Sequence, residues 1–361
     1  MVKISALVGV LLLAYTAPVF AGSIDIANTT LKIPSILIVN PQISLYNAIA
    51  LAGDRLVAVG EGGRIILSDD NGVSWRQVET PTSVTLTNVR FASPTTGWAT
   101  GNMGVILQTV DAGRSWHMQF DGVQANQALL AAAQADAASA TPDKATAQAN
   151  LLSVQEIAGG GPSNPFLDVL PLSAQNLMIV GAYGMAFTST NGGQSFQPIT
   201  DAIPNPNGLH IYKIIQDGDQ LILAGEQGLL LARNAAGVFT TLTSTAPGTF
   251  FGGMKSAGGA MLVYGLQGMI MRSMDDGKTW QQVTSPTNAS IDCGIILKDG
   301  TILLGDQVGD ILLSKDDGKN FSMTVVGEPV VALAQAADGA IVMAGSEKVS
   351  RMDPHLLEPR A

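Results

Sequence analysis

The sequence predicts an all-β chain folded as a seven-bladed β-propeller, and three observations predict it. A glycine turn between two short apolar strands recurs at a spacing near 40 residues. A Ser/Thr-x-Asp-x-Gly turn follows it at a nearly constant offset and runs into Trp or Phe. The composition suits many short buried strands: 40 Gly in 361 residues, 46% hydrophobic and only 13% charged. A period near 40 with four strands per unit is the sequence signature of a propeller.

Taken in order, residues 1–21 read as a secretory signal. Lys3 supplies the positive start, Ala6 to Ala14 the apolar run, and Val19-Phe20-Ala21 the small residues before cleavage. Export to the periplasm is the expectation. Removing Lys3 leaves 18 basic and 29 acidic residues, a net charge of −11. That balance disfavours nucleic acid and anionic lipid as partners. Cys293 is the single cysteine, so no internal disulfide is expected, and its strand-like context reads as a core thiol.

Leu31 to Asn40 is rich in β-branched and apolar residues and has no partner nearby in sequence. The repeats follow, over 31–353 with that run included. Their first glycines are Gly60, Gly101, Gly181, Gly225, Gly265, Gly305 and Gly345. The steps are 41, 80, 44, 40, 40 and 40, one of them double. The last unit supplies about three strands. An N-terminal strand near 33–39 is therefore expected to complete the last blade and close the ring.

The acidic turns carry Asp70, Gly72 and Trp75; Asp111, Gly113 and Trp116; Asn191, Gly193 and Phe196; Asp275, Gly277 and Trp280; and Asp316, Gly318 and Phe321. Each reads as structural: the carboxylate caps its own turn, Gly supplies a positive φ, and the aromatic anchors the blade. The fourth unit has lost the Asp, and the seventh has no such turn.

The double step is an insertion. Residues 121–163 are Ala-, Gln- and Leu-rich, and Val123–Ser139 and Asp143–Ile157 lack interior Gly and Pro. They predict a helical hairpin between blades two and three, interrupted at Pro142. Residues 354–361 read as a polar, frayed tail.

These turns resemble the Asp-box, or BNR, repeat. The extended form from Gly97 through Gly101, Gly104, Thr109 and Asp111 to Trp116 resembles the photosystem II stability/assembly factor family of exported seven-bladed propellers. The resemblance covers 46–352 but not the insertion. It implies a non-enzymatic assembly factor. In photosynthetic organisms the family acts in early photosystem II assembly and binds the reaction-centre protein D1 through an arginine-rich patch. Here the nine arginines form no dense cluster in sequence. Arg64 and Arg272, each just after a Gly turn, are the candidate binding residues. The implied partner is a membrane or envelope protein, with no cofactor, metal or small-molecule substrate.

The competing class is an Asp-box sialidase-like glycoside hydrolase or a sugar-binding propeller. Hydrolysis needs two catalytic groups at the ring centre. Asp168, Asp217, Asp219, Asp292, Asp306 and Asp310 are the carboxylates outside the boxes available to a channel or rim. No catalytic set is evident among them. His117, His210 and His355 lack metal-ligand spacing.

Overall fold

The computed structural model describes residues 30–139, 144–243 and 246–357. The expected signal and its cleavage site lie outside these residues, as does the end of the tail. Seven antiparallel sheets follow one another along the chain, six with four strands and the last with three. Blade one is β1 (Tyr46–Ala52), β2 (Arg55–Gly60), β3 (Ile65–Ser68) and β4 (Arg76–Val78). Blade two is β5 (Leu86–Phe91), β6 (Gly97–Gly101), β7 (Ile106–Thr109) and β8 (His117–Phe120). The remaining inner strands begin at Phe166, Ile211, Phe250, Ile291 and Ala332.

The core lies between blades. In β2, Leu56 and Ala58 pack against blade seven, whereas Val57 and Val59 pack against blade two. Period-two alternation thus presents apolar groups on both faces, and these strands read as unbroken apolar runs for that reason. Seven such clusters occur among the described residues, each shared by two consecutive blades.

Ring closure departs from the expectation. Residues 33–39 form no strand, and blade seven keeps three. The segment instead runs beside the outer edge of blade one. Ser35 N donates to the Thr80 carbonyl at 3.1 Å. The Gln77 side chain accepts from Ile38 N and donates to the Ile36 carbonyl. Two features explain the course. Pro34 has no N–H for a ladder, and Leu31, 1% exposed, anchors in the core between blades one and two. The ring closes by packing, with Tyr46, Leu56 and Ile66 against Ala332, Val342 and Val349. Tyr46 N to the Gly345 carbonyl and Val349 N to the Gln42 carbonyl add backbone bonds at that seam.

The tail also differs in part. Residues 354–357 form a short 3₁₀ turn, and Leu357 is buried between blades six and seven. Thr324 Oγ1 donates to its carbonyl.

Two helices, α1 (Gly122–Ala138) and α2 (Lys144–Gly159), stand between β8 and the inner strand of blade three. Asp121 and Gln124 form a reciprocal capping box that starts α1. Ala125, Ala128 and Leu129 pack onto a phenylalanine cluster of Phe120, Phe166, Phe187 and Phe196.

The glycine turns work differently from a simple reversal. Gly60 has an extended backbone, φ −167. Its need for no side chain comes from contact: a Cβ there would collide with the Leu45 carbonyl just before β1. The residue two positions on is left-handed, and at equivalent positions Met103, Tyr183, Gln227 and Gln267 take φ 52 to 56. In blade six Asp306, not Gly305, occupies the Gly60 register. Its buried carboxylate holds the turn, accepting from the backbone N–H groups of Val308, Gly309 and Asp310.

Candidate partner-binding face

Antiparallel connectivity divides the turns between two faces. The box turns join third and fourth strands and lie on one face. The glycine turns join second and third strands and lie on the other, with the linkers between blades. The hairpin replaces such a linker, so it shares the glycine-turn face.

On the opposite face the predicted box residues are consumed by their own turns. Ser74 N donates to Asp70 Oδ1 at 2.9 Å and Ser74 Oγ to Oδ2 at 2.5 Å, while Ser68 Oγ donates to Oδ1. Asp111, Asp275 and Asp316 repeat the geometry. Hydrogen bonds from Ser74, Thr279 and Asn320 pull the carboxyls of Asp70, Asp275 and Asp316 down to about 2. Asn191 makes the same turn with an amide, accepting from Ser195 N and donating to Ser195 Oγ. Gly72, Gly113, Gly193, Gly277 and Gly318 all carry positive φ there. Trp116 and Phe196 are buried, while Trp75, Trp280 and Phe321 are half-buried. In blade four Asn234 takes over the cap: its side chain accepts from Val238 N. That substitute is visible in the sequence as an Asn one residue ahead of the vacant Asp position.

The two candidate arginines are not brought together. Arg64 sits on blade one and donates to Ser44 Oγ and the Glu61 carbonyl. Arg272 is a correction. Its side chain is 12% exposed, with Nε on the Asp317 carbonyl and Nη2 on Asp317 Oδ2 at 3.0 Å. It joins blade five to the box turn of blade six. Strand direction sends it there, because it lies at the far end of its strand from the glycine turn.

Two of the concavities on the glycine-turn face matter here. One, of about 900 Å³, lies between the hairpin and blade three. Its floor includes Leu129, Val154, Ile157, Met185 and Ile203, and Asp136 and Asp201 also line it. Asn150 Nδ2 donates to Asp201 Oδ1 and ties α2 to that blade. The other is the central channel, of about 720 Å³, lined by inner strands.

An aromatic strip links them. Tyr183, on the groove, is 4.8 Å centroid-to-centroid from His210. His210 is 6.2 Å from Tyr212, and Tyr212 is 5.3 Å from Phe251. Tyr212 and Phe251 line the channel. Glu226 Oε2 fixes His210 from its other side, accepting from the backbone N and lying 3.2 Å from Nδ1. Tyr183 is 55% exposed and left-handed. A lone Tyr in a glycine turn was the only sequence signal for this strip, and spacing does not connect it to Tyr212.

The channel has its own charged knot. Asp168 has no exposed surface; it accepts from Asn88 Nδ2, Arg90 Nη2 and Ile214 N at 2.6 to 2.8 Å. Lys213 Nζ lies 3.8 Å away, and burial with the Arg90 charge lowers that amine to about 8. Asp292 also lines the channel; burial, then the charge of Asp306, raises its carboxyl to about 6. Cys293 beside it is pushed up by burial, and its Sγ points at the Val330 carbonyl. Asp217 pairs with Lys255, and Asp310 is half-buried, its carboxyl raised by burial and Asp306. Among the described residues no group of three His, Cys, Asp or Glu side chains is arranged to hold a metal ion. No described helix is long and apolar enough to cross a membrane.

No protein-family model matches the chain, and no curated protein matches it in sequence. Solved structures do resemble it. YCF48 bound to D1 peptide matches with a TM-score of 0.62 at 13% identity, over 89% of this chain and 99% of that one. YCF48 from Cyanidioschyzon merolae matches with 0.62 at 14%, over 89% and 98%. The extracellular domain of the putative one component system BT4673 from B. thetaiotaomicron matches with 0.59 at 13%, over 88% of this chain and 39% of that one. At such identities the likeness is one of architecture, and it agrees with the seven sheets: the chain is a β-propeller.

Proposed function

We propose that the protein is a non-enzymatic, exported scaffold that seats an extended segment of a membrane or envelope protein on its glycine-turn face. One observation carries the reading: the hairpin groove, the strip from Tyr183 to Phe251 and the channel mouth share one face. Apolar floors suit aliphatic side chains. Asp136 and Asp201 suit a segment that also carries basic residues, as does the acidic chain. An exposed tyrosine such as Tyr183, backed by the half-buried His210 ring, is a typical contact surface for a protein partner. The YCF48 complex with D1 peptide supports a peptide-binding propeller, and the extracellular neighbours support export. A role in photosystem assembly is the narrowest form of the proposal.

Glycoside hydrolysis finds less support. Asp292 lines the channel with a raised carboxyl, but Asp168 is buried and paired, and Asp306 is committed to its turn. The test is a pull-down from envelope extracts with the full chain, a Tyr183→Ala variant, a Val154→Glu variant and a chain lacking 121–163. Loss of the same partner in all three supports the scaffold. An unchanged partner set removes the groove from the account. Turnover of aryl glycosides that Asp292→Asn abolishes overturns the non-enzymatic reading.

A further inference from the structure

The channel is a second site, and its chemistry does not depend on the groove. Two cations, Arg90 and Lys213, share the single buried carboxylate of Asp168. Asp168 already accepts three hydrogen bonds, one on Oδ1 and two on Oδ2, and none of them comes from Lys213. Among the described residues Lys213 Nζ has that ion pair and no hydrogen bond. Arg90 spends Nη2 on Asp168 and on the Ile214 carbonyl, and its Nε and Nη1 take no acceptor there. The side chains are 23% and 26% exposed, and both residues line the channel. The site therefore holds unspent cationic donors in a largely desolvated place, where charge-assisted hydrogen bonds are strong.

The walls define the rest of the ligand. Tyr212, Phe251, Ile295 and Leu333 give apolar surface, and Asn47 gives an amide. A volume of about 720 Å³ accommodates a small organic molecule. Within the knot of Arg90, Lys213 and Asp168 the surplus is one positive charge, which matches a monoanion better than a phosphate dianion. Asp292, on the same channel, opposes a second negative charge. We propose that the channel binds a monocarboxylate with an apolar body, its carboxylate set between Lys213 and Arg90. The carboxylate belongs either to a free small acid or to the C-terminus of a peptide.

Calorimetric titration of the full chain tests this with 3-phenylpropionate and 3-phenylpropionamide, and with an N-acetylated tetrapeptide ending in Phe as acid or amide. Either acid is expected to bind at least about tenfold more tightly than its amide. The acid that binds identifies the source. Lys213→Gln is expected to weaken the acid about tenfold and leave the amide unchanged, whereas Lys213→Arg retains binding. Asp292→Asn is expected to tighten it. Equal binding of acid and amide, or no binding of either acid at about 10 mM, overturns the proposal. So does unchanged affinity in a folded Lys213→Gln protein. If that variant does not fold, the acid-to-amide ratio of the unaltered protein and the direction of the Asp292→Asn change decide.

Discussion

Arg90 Nη2 donates to Asp168 Oδ2 at 2.7 Å, and the carboxylate it meets has no exposed surface. The pair joins blade two to blade three, and the Ile214 N–H and Lys213 bring in blade four. Asp168→Ala leaves two cations and a backbone N–H in the channel wall without their acceptor. Removing one partner of a buried ion pair costs about 3–5 kcal/mol. Urea unfolding at neutral pH should show that loss. A change under about 1 kcal/mol would mean that solvent or a bound anion takes the carboxylate's place.

Asp292 works against stability at neutral pH. Its carboxyl is raised from 3.8 to about 6 in the folded chain. Between those values the folded state binds more protons than the unfolded one, so stability falls as pH rises through the window. Below it the two states are equally protonated and the penalty vanishes. Asp292→Asn is therefore expected to stabilise the protein at pH 7 by about 1–2 kcal/mol, after allowance for solvent screening of this half-buried group. Unfolding midpoints at neutral and acid pH check the sign: the gain should shrink on acidification.

The box turns respond in the opposite direction. Asp70, Asp275 and Asp316 have carboxyls lowered from 3.8 to about 2. Their contribution is complete above about pH 4 and is lost as pH falls toward 2. Asn191 shows that an amide keeps the geometry without a charge. Replacing the three acids with Asn should flatten the acid limb of the stability curve. An acid limb as steep as before would place the acid sensitivity elsewhere.

Repetition made the ring legible. The glycine and acidic turns recur because each blade solves the same backbone problem, and counting them gives seven units. The sequence offers Asp306 only as a channel or rim carboxylate, because it fills a glycine's register one residue late and its turn-holding role rests on three backbone N–H donors that no spacing reveals. The run at 33–39 leaves the ring edge its composition suggests, because β propensity reports what a segment tolerates and not which edge it meets. Leu31 and Gln77 decide that edge, and they act over tertiary distance. The channel knot unites Arg90, Asp168 and Lys213 from three blades, and no spacing rule links them.

Trp116 and Trp280 occupy equivalent places but differ in burial. Trp116 is 4% exposed and its Nε1 donates to the Gly113 carbonyl. Trp280 is half-buried, and its Nε1 has no hydrogen-bond partner among the described residues. Trp116→Ala should cost about 3–5 kcal/mol and Trp280→Ala about 1–3 kcal/mol. Denaturant midpoints for the two variants check the order. Equal losses would show that the aromatic anchor matters by shape alone and not by burial.

Gly60 and Gly62 separate two reasons for glycine. Gly60 has φ −167, open to any residue, yet its Cβ position is filled by the Leu45 carbonyl. Gly62 has φ 66, but only the Arg64 side chain lies near its Cβ position. Met103 occupies the equivalent of Gly62 in blade two with φ 53. Gly62→Ala should therefore cost only the left-handed backbone penalty, about 1 kcal/mol. Gly60→Ala must push β2 away from the entry to β1, where Tyr46 closes the ring against blade seven. A loss of about 3 kcal/mol or more is expected, in the range of overpacking with backbone displacement. If Gly62→Ala proves the costlier change, backbone conformation rather than close approach is what selects glycine in these turns.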